Sequence, residues 1–143
     1  RSGAEKVLTA QAKATSKKIG GLETMDQQIG FFDTLPEDQQ IKFLNSAVRE
    51  LPEAQKVTSA MIGSWAAGKP DKLAAVMNDG MTELPEIKKV LLTDRNRRWA
   101  DWIKTRMDQP GTVFIAVGAG HLAGKDSVQA MLKAKKLKAV RIN

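Results

Sequence analysis

Apolar residues recur at helical intervals through most of the first hundred positions. Ala4, Val7, Leu8 and Ala12 predict a helix over residues 4–16, free of breakers. From Thr24 the pattern resumes with Met25, Ile29, Phe32 and Leu35. Thr34-Leu35-Pro36-Glu37 has the form of a helix stop and restart, because proline suits a first turn and no later one. The restarted helix runs through Ile41, Leu44 and Val48. Pro52 opens another, with Val57, Met61, Ile62 and Trp65 on its inner side. After the turn Gly68-Lys69-Pro70-Asp71, a short helix carries Leu73, Val76 and Met77 and closes at Gly80. Pro85 starts a helix to about Leu92, and Thr93 or Asp94 caps a continuation to Met107, where Asp94 can pair with Arg98.

Pro110-Gly111 ends that regime. The next six residues, Thr112-Val113-Phe114-Ile115-Ala116-Val117, are β-branched, aromatic or apolar without alternation, as in a strand covered on both faces. A glycine-rich loop over 118–124, a helix with Val128, Met131 and Leu132, and a short strand from Leu137 to Ile142 complete a βαβ unit. Ile19–Leu22 reads as a further strand or a tight connection. The expected fold class is α/β, helix-rich, with a small, mostly parallel sheet. At 143 residues the chain has room for one core, so 1–143 is a single domain segment.

Composition narrows the chemistry. The lack of cysteine removes disulfides, thiolate ligands and thiol nucleophiles. No apolar run approaches the ~20 residues of a transmembrane span. The net charge of +7 is uneven: residues 1–87 hold 10 basic and 12 acidic side chains, residues 88–143 hold 13 and 4. A basic second half could attract an acidic partner, but nucleic acid would want aromatic platforms among the basic residues. Trp99 and Trp102 sit at core spacing, and Lys133 to Arg141 has no aromatic, so no nucleic-acid partner is expected.

Three loci could carry chemistry. Ligands of open α/β sheets bind beyond the carboxyl ends of strands, and Val117 would be such an end. Gly118 and Gly120 would then permit unusual torsions and close approach, and Gly124 closes the loop that holds His121, the chain's one histidine. Phosphate-loop and dinucleotide spacings both fail there. Metal ligation or acid–base work by His121, a merely structural hydrogen bond, and a Ser127–His121 nucleophile pair remain open. In the second locus Glu23 would stand on the same sheet edge, with Gln27 one helical turn on. Glu23 could equally do no more than favour a helix N-terminus. In the third, Asn96 falls on the inward stripe with Trp99 and Ile103, and a buried amide needs partners. Arg95 beside it could hold a carboxylate or phosphate, while Arg97 and Arg98 should face solvent.

These loci in this order also carry a resemblance. Gly21-Leu22-Glu23-Thr24 with Gln27, Trp65-Ala66-Ala67-Gly68, Arg95-Asn96-Arg97-Arg98-Trp99-Ala100 and Val117-Gly118-Ala119-Gly120-His121-Leu122-Ala123-Gly124 together resemble the TraB/GumN family. The likeness spans nearly the whole chain, and Gly-Ala-Gly-His-Leu is its most specific part. It implies kinship with Tiki-type metal-dependent proteases and, more distantly, with erythromycin-esterase-like and ChaN-like α/β proteins. Tiki-type members use two Gly-x-x-His motifs and acidic residues around a divalent metal, and Gly118-Ala119-Gly120-His121 matches the second motif.

The first motif has no counterpart here, so the resemblance is to the family's C-terminal part, and the chain, opening at Arg1 without Met, is expected to be N-terminally truncated. What the resemblance implies is a metal-dependent hydrolase, peptidase-like, acting on a peptide or small molecule, with this segment inactive by itself. His121 and Glu23 would be catalytic and would bind Mn, Co or Zn, while Arg95, Asn96 and Gln27 would orient substrate or steady charge. Family habit places such proteins in the periplasm or cell envelope. The competing class is a non-enzymatic binding or assembly module using the basic C-terminal half.

Overall fold

The computed structural model describes residues 3–142 of the chain. Eight helices follow in order among them: α1 Ala4–Ala14, α2 Met25–Asp33, α3 Glu37–Glu50, α4 Ala54–Ala66, α5 Pro70–Asp79, α6 Pro85–Lys88, α7 Asp94–Met107 and α8 Val128–Ala134. Sequence marks most of the boundaries. Thr24 and Gln27 form a reciprocal capping box at the start of α2. The carbonyl of Pro36 accepts the first bonds of α3. Prolines stand at the starts of α5 and α6. Ser127 caps α8 by accepting from the Ala130 amide.

Leu35, Leu84 and Ile87 form a buried cluster with Phe43, Val90 and Leu91 packed around it. Leu73, Ala74, Leu92, Trp99, Ala100, Ala123 and Val128 are buried as well. The packing pairs are α4 with α5, α7 with α8, α3 with α6, and α5 with a 3₁₀ turn at Ala119–His121. Between α6 and α7 the helix does not stop. A π-helical turn, Lys89–Thr93, joins them into one run from Pro85 to Met107. No helix among the described residues is long and apolar enough to cross a membrane.

The α/β expectation is overturned. There is no strand or sheet among the described residues, and the C-terminal βαβ unit is absent. Residues 112–117 and 138–142 make no backbone–backbone hydrogen bond to any described segment. A β-branched run becomes a strand only when a neighbour supplies the ladder, and propensity alone does not replace that neighbour. Burial fails with it: Phe114 is 77% exposed and Ile142 91%.

The helical periods are right, but several of the apolar positions that mark them look outward. Met25, Ile29, Ile41, Leu44, Val48, Ile62 and Trp65 are all exposed. A stripe is buried only where another layer covers it, and no described element covers these. The glycines also differ from expectation. Gly118 adopts φ −58°, open to any residue, whereas Gly124 holds φ 82° in the left-handed region. Gly120 matters for space instead, since a Cβ there would lie 3.3 Å from Met77 Cε.

Candidate functional site

Helix α7 is the platform. Arg95, Arg98 and Trp99 are three and four residues apart and so share one side of it, while Asn96, Trp99 and Ala100 point into the core. The capping box of α2 fixes Glu23 one residue before the cap, against this helix. The Glu23 side chain is only 3% exposed. Arg95 Nε donates to both its oxygens at 3.1 Å, and Arg95 Nη2 donates to Oε2 at 2.8 Å. Arg95 Nη1 donates to the Leu91 carbonyl at 3.2 Å, which engages all three nitrogens. Arg98 adds a looser contact to Glu23 at 3.6 Å. The two guanidiniums also lie over the Phe31 ring, at 5.3 and 5.1 Å from its centroid.

His121 reaches the same helix from the 3₁₀ turn. Its ring packs on Trp99, with centroids 4.5 Å apart. Its Nδ1 lies 2.6 Å from Asn96 Oδ1, and Asn96 Nδ2 donates to the Asp126 carbonyl at 2.7 Å. That second bond decides the first. A carbonyl only accepts, so the Asn96 amide must turn its NH₂ toward Asp126 and its oxygen toward the ring. The oxygen in turn only accepts, so Nδ1 carries the hydrogen. Nε2 makes no hydrogen bond among the described residues and is not sealed from solvent. His121 lines a cavity of about 370 Å³ together with Phe31, Met77, Met81, Leu91 and Gly120, among others.

Electrostatics sharpen the arrangement. Burial pushes the Glu23 carboxyl up, but the Arg95 hydrogen bonds and the charges of Arg95 and Arg98 outweigh it and hold the group below its ordinary range. His121 is pushed down to about 4, first by burial and then by the Arg95 charge, against a smaller pull from Glu23. At neutral pH the ring is therefore uncharged, with a lone pair on Nε2.

A divalent metal does not fit the donors present. No group of three or more His, Asp or Glu side chains gathers among the described residues. Both Glu23 oxygens are held by arginine, and Asn96 Oδ1 is held by His121. A single free imidazole nitrogen is short of the three protein ligands usual at a catalytic zinc.

The loci picked from sequence meet here, by a different route. Glu23, Arg95, Asn96 and His121 converge on α7 and not on a sheet rim. Gln27 stands apart: its side chain accepts from the Thr24 amide at 2.8 Å and serves the cap. Arg95 is engaged by Glu23 and Leu91, so it is not free to grip a substrate anion. Asp94 pairs with Lys89 and Arg97 instead of Arg98. Phe31, over which both guanidiniums lie, is one position off the periodic stripe and so escapes a reading by spacing.

The TraB/PrgY/gumN family profile matches residues 1–141. The chain belongs to this family. The chain is similar to the "Uncharacterized protein YbaP" of Escherichia coli (strain K12) and to that of Shigella flexneri. Each is 27% identical over 131 residues, covering 92% of this chain and 48% of the relative. The chain thus spans about half the length of the curated relatives it matches. No solved structure matches it.

Proposed function

We propose that this family domain carries the imidazole of a hydrolytic site, acting on a peptide or another small substrate. His121 Nε2 takes a proton from a water or hydroxyl that enters the adjoining cavity, as a general base. The observation that supports this is the Asn96 lock, 2.6 Å from Nδ1, which fixes the tautomer and leaves Nε2 unbonded on a ring that lines the cavity. Glu23 is a positioning residue in this reading: it holds Arg95, and with it the wall against which Trp99 and the ring pack. No step is routed through a metal, because the donors described do not hold one.

The test is hydrolysis of a panel of uncharged peptides and esters by the chain and by its His121→Gln variant. Turnover should fall at least ~100-fold in the variant, the lower end for loss of a general base. In the unaltered chain it should decline in acid with a midpoint near pH 4, where the ring protonates. Equal turnover in both proteins would remove the imidazole from the reaction. Nitrogen NMR gives an independent check, since Nε2 should be unprotonated at pH 7.

The same ring sets a stability trend. Unfolded, its pKa returns to about 6.5, so between 6.5 and about 4 the unfolded chain binds the extra proton. Stability contributed by the neutral ring is complete above pH 6.5 and is lost as pH falls through that window. His121→Gln should flatten this part of a melting-temperature profile. The Glu23 contribution is lost at lower pH, below the ordinary carboxylate range. An unchanged slope between pH 6.5 and 4 in the variant would show that the ring is not the titrating group.

A further inference from the structure

Helix α4 lies open to solvent, and none of its residues is buried. From Val57 to Gly68 the chain carries no charged side chain, whereas a helix face turned to water is ordinarily charged or polar. Trp65, near the C-terminal end of α4, is 70% exposed, and Ile62 is open one turn before it. A tryptophan this bare is uncommon, because its ring is among the largest apolar surfaces a residue offers.

The fold brings a cationic segment to the same end of α4. Helix α8 finishes in a left-handed turn at Lys136, φ 62°, and the Leu137 amide donates back to the Leu132 carbonyl at 2.9 Å. The chain then runs to the turn between α4 and α5. There Arg141 Nη2 donates to the Gly68 carbonyl at 3.1 Å, and the Gly68 amide donates to the Trp65 carbonyl at 3.0 Å. Residues 133–142 hold Lys133, Lys135, Lys136, Lys138 and Arg141 and no acidic side chain. Lys135 pairs with Asp101, while Lys136 and Lys138 are exposed and make no ion pair among the described residues. Val140 and Ile142, on either side of Arg141, are exposed too. The turn itself adds Lys69 and Lys72 against one carboxylate, Asp71.

Bare aliphatic and indole side chains among cations suit one kind of partner. An anionic bilayer takes Lys and Arg at its headgroups and apolar side chains just beneath, and tryptophan favours that boundary. Nucleic acid presents phosphate as well, but it gives Val140 and Ile142 nothing to enter, and stacking wants successive aromatic rings where Trp65 stands alone. A second copy meeting this one patch to patch would bring the same cations face to face.

We propose that the α4–α5 turn and residues 133–142 together form a docking site for the surface of an anionic lipid bilayer. The cations supply the attraction, and Trp65, Val140 and Ile142 enter the boundary between headgroups and acyl chains. His121 and its cavity take no part, so the site stands or falls independently of the hydrolytic reading.

Cosedimentation of the full chain with vesicles of phosphatidylcholine, with and without phosphatidylglycerol, tests it. The chain should bind the anionic vesicles and not the neutral ones, and molar salt should release it. Lys136→Gln combined with Lys138→Gln should weaken binding about 25-fold, or about fivefold for each cation lost. Trp65→Ser should weaken it about tenfold, the worth of partly burying a large apolar side chain. Lipids brominated on their acyl chains should quench part of the tryptophan emission, and that part should be missing in Trp65→Phe, which keeps Trp99 and Trp102. These positions are exposed, so each variant should melt as the parent does. Equal binding to both kinds of vesicle, binding to neither, or unchanged affinity in the lysine and tryptophan variants would overturn the proposal. So would tighter binding of a single-stranded oligonucleotide than of the vesicles, or a dimer in sedimentation that Trp65→Ser dissolves.

Discussion

Arg95→Met should destabilise the chain by about 3–5 kcal/mol, the usual cost of removing one partner from a buried ion pair. The reason is the carboxylate left behind. Glu23 is 3% exposed, and Arg95 supplies three of its short contacts. Methionine covers similar surface but offers no donor, so Glu23 must either stay charged in an apolar setting or take up a proton. A loss of that size is a large share of the roughly 5–15 kcal/mol that holds a domain together. Urea denaturation measures it directly. Adding Glu23→Gln to Arg95→Met should restore part of the loss, because the orphaned charge is then gone. A single variant within about 0.5 kcal/mol of the parent would show that Glu23 is solvated, against its place under α7.

The second large effect is at Asn96. Leucine there has similar bulk, but it deprives the Asp126 carbonyl and His121 Nδ1 of partners at a position with no exposure. The expected cost is about 1–3 kcal/mol in the same denaturation experiment. It should also unlock the ring, so that nitrogen NMR finds hydrogen on Nε2 in part of the population. Asn96→Asp separates the two roles: a carboxylate still accepts from Nδ1 and raises the imidazole pKa, but it cannot donate to Asp126. A leucine variant with unaltered stability and tautomer would sink the account of Asn96 as the hinge of the site.

Local chemistry was legible in the chain, and partnership was not. The proline at 85 and the inward period of Asn96 and Trp99 each act within a few residues, and the structure shows both. The approach of Glu23 to Arg95 spans 72 positions, and nothing in either segment encodes the other's place. Arg95 therefore looks like a free fork in the sequence although Glu23 engages it, while Gln27, a candidate substrate group there, is spent on a cap three residues away. The sheet failed for a related reason. Residues 112–117 have strand composition, but a ladder is a property of two segments, and none of the described ones lies beside them. The sequence puts Glu23 and His121 on one sheet edge; in the structure both lie against α7, through Arg95 and Asn96.

The bare run at 112–117 has a consequence for how the chain behaves in solution. Val113 and Phe114 stand open beside amides and carbonyls that no described segment satisfies, the template along which polypeptides stack edge to edge. What opposes that stacking between copies is mutual repulsion from the +7 charge. At physiological ionic strength such repulsion reaches only about 8 Å, and at molar salt about 3 Å. Association of this chain should therefore rise with ionic strength, which light scattering in dilute buffer and at molar salt would read.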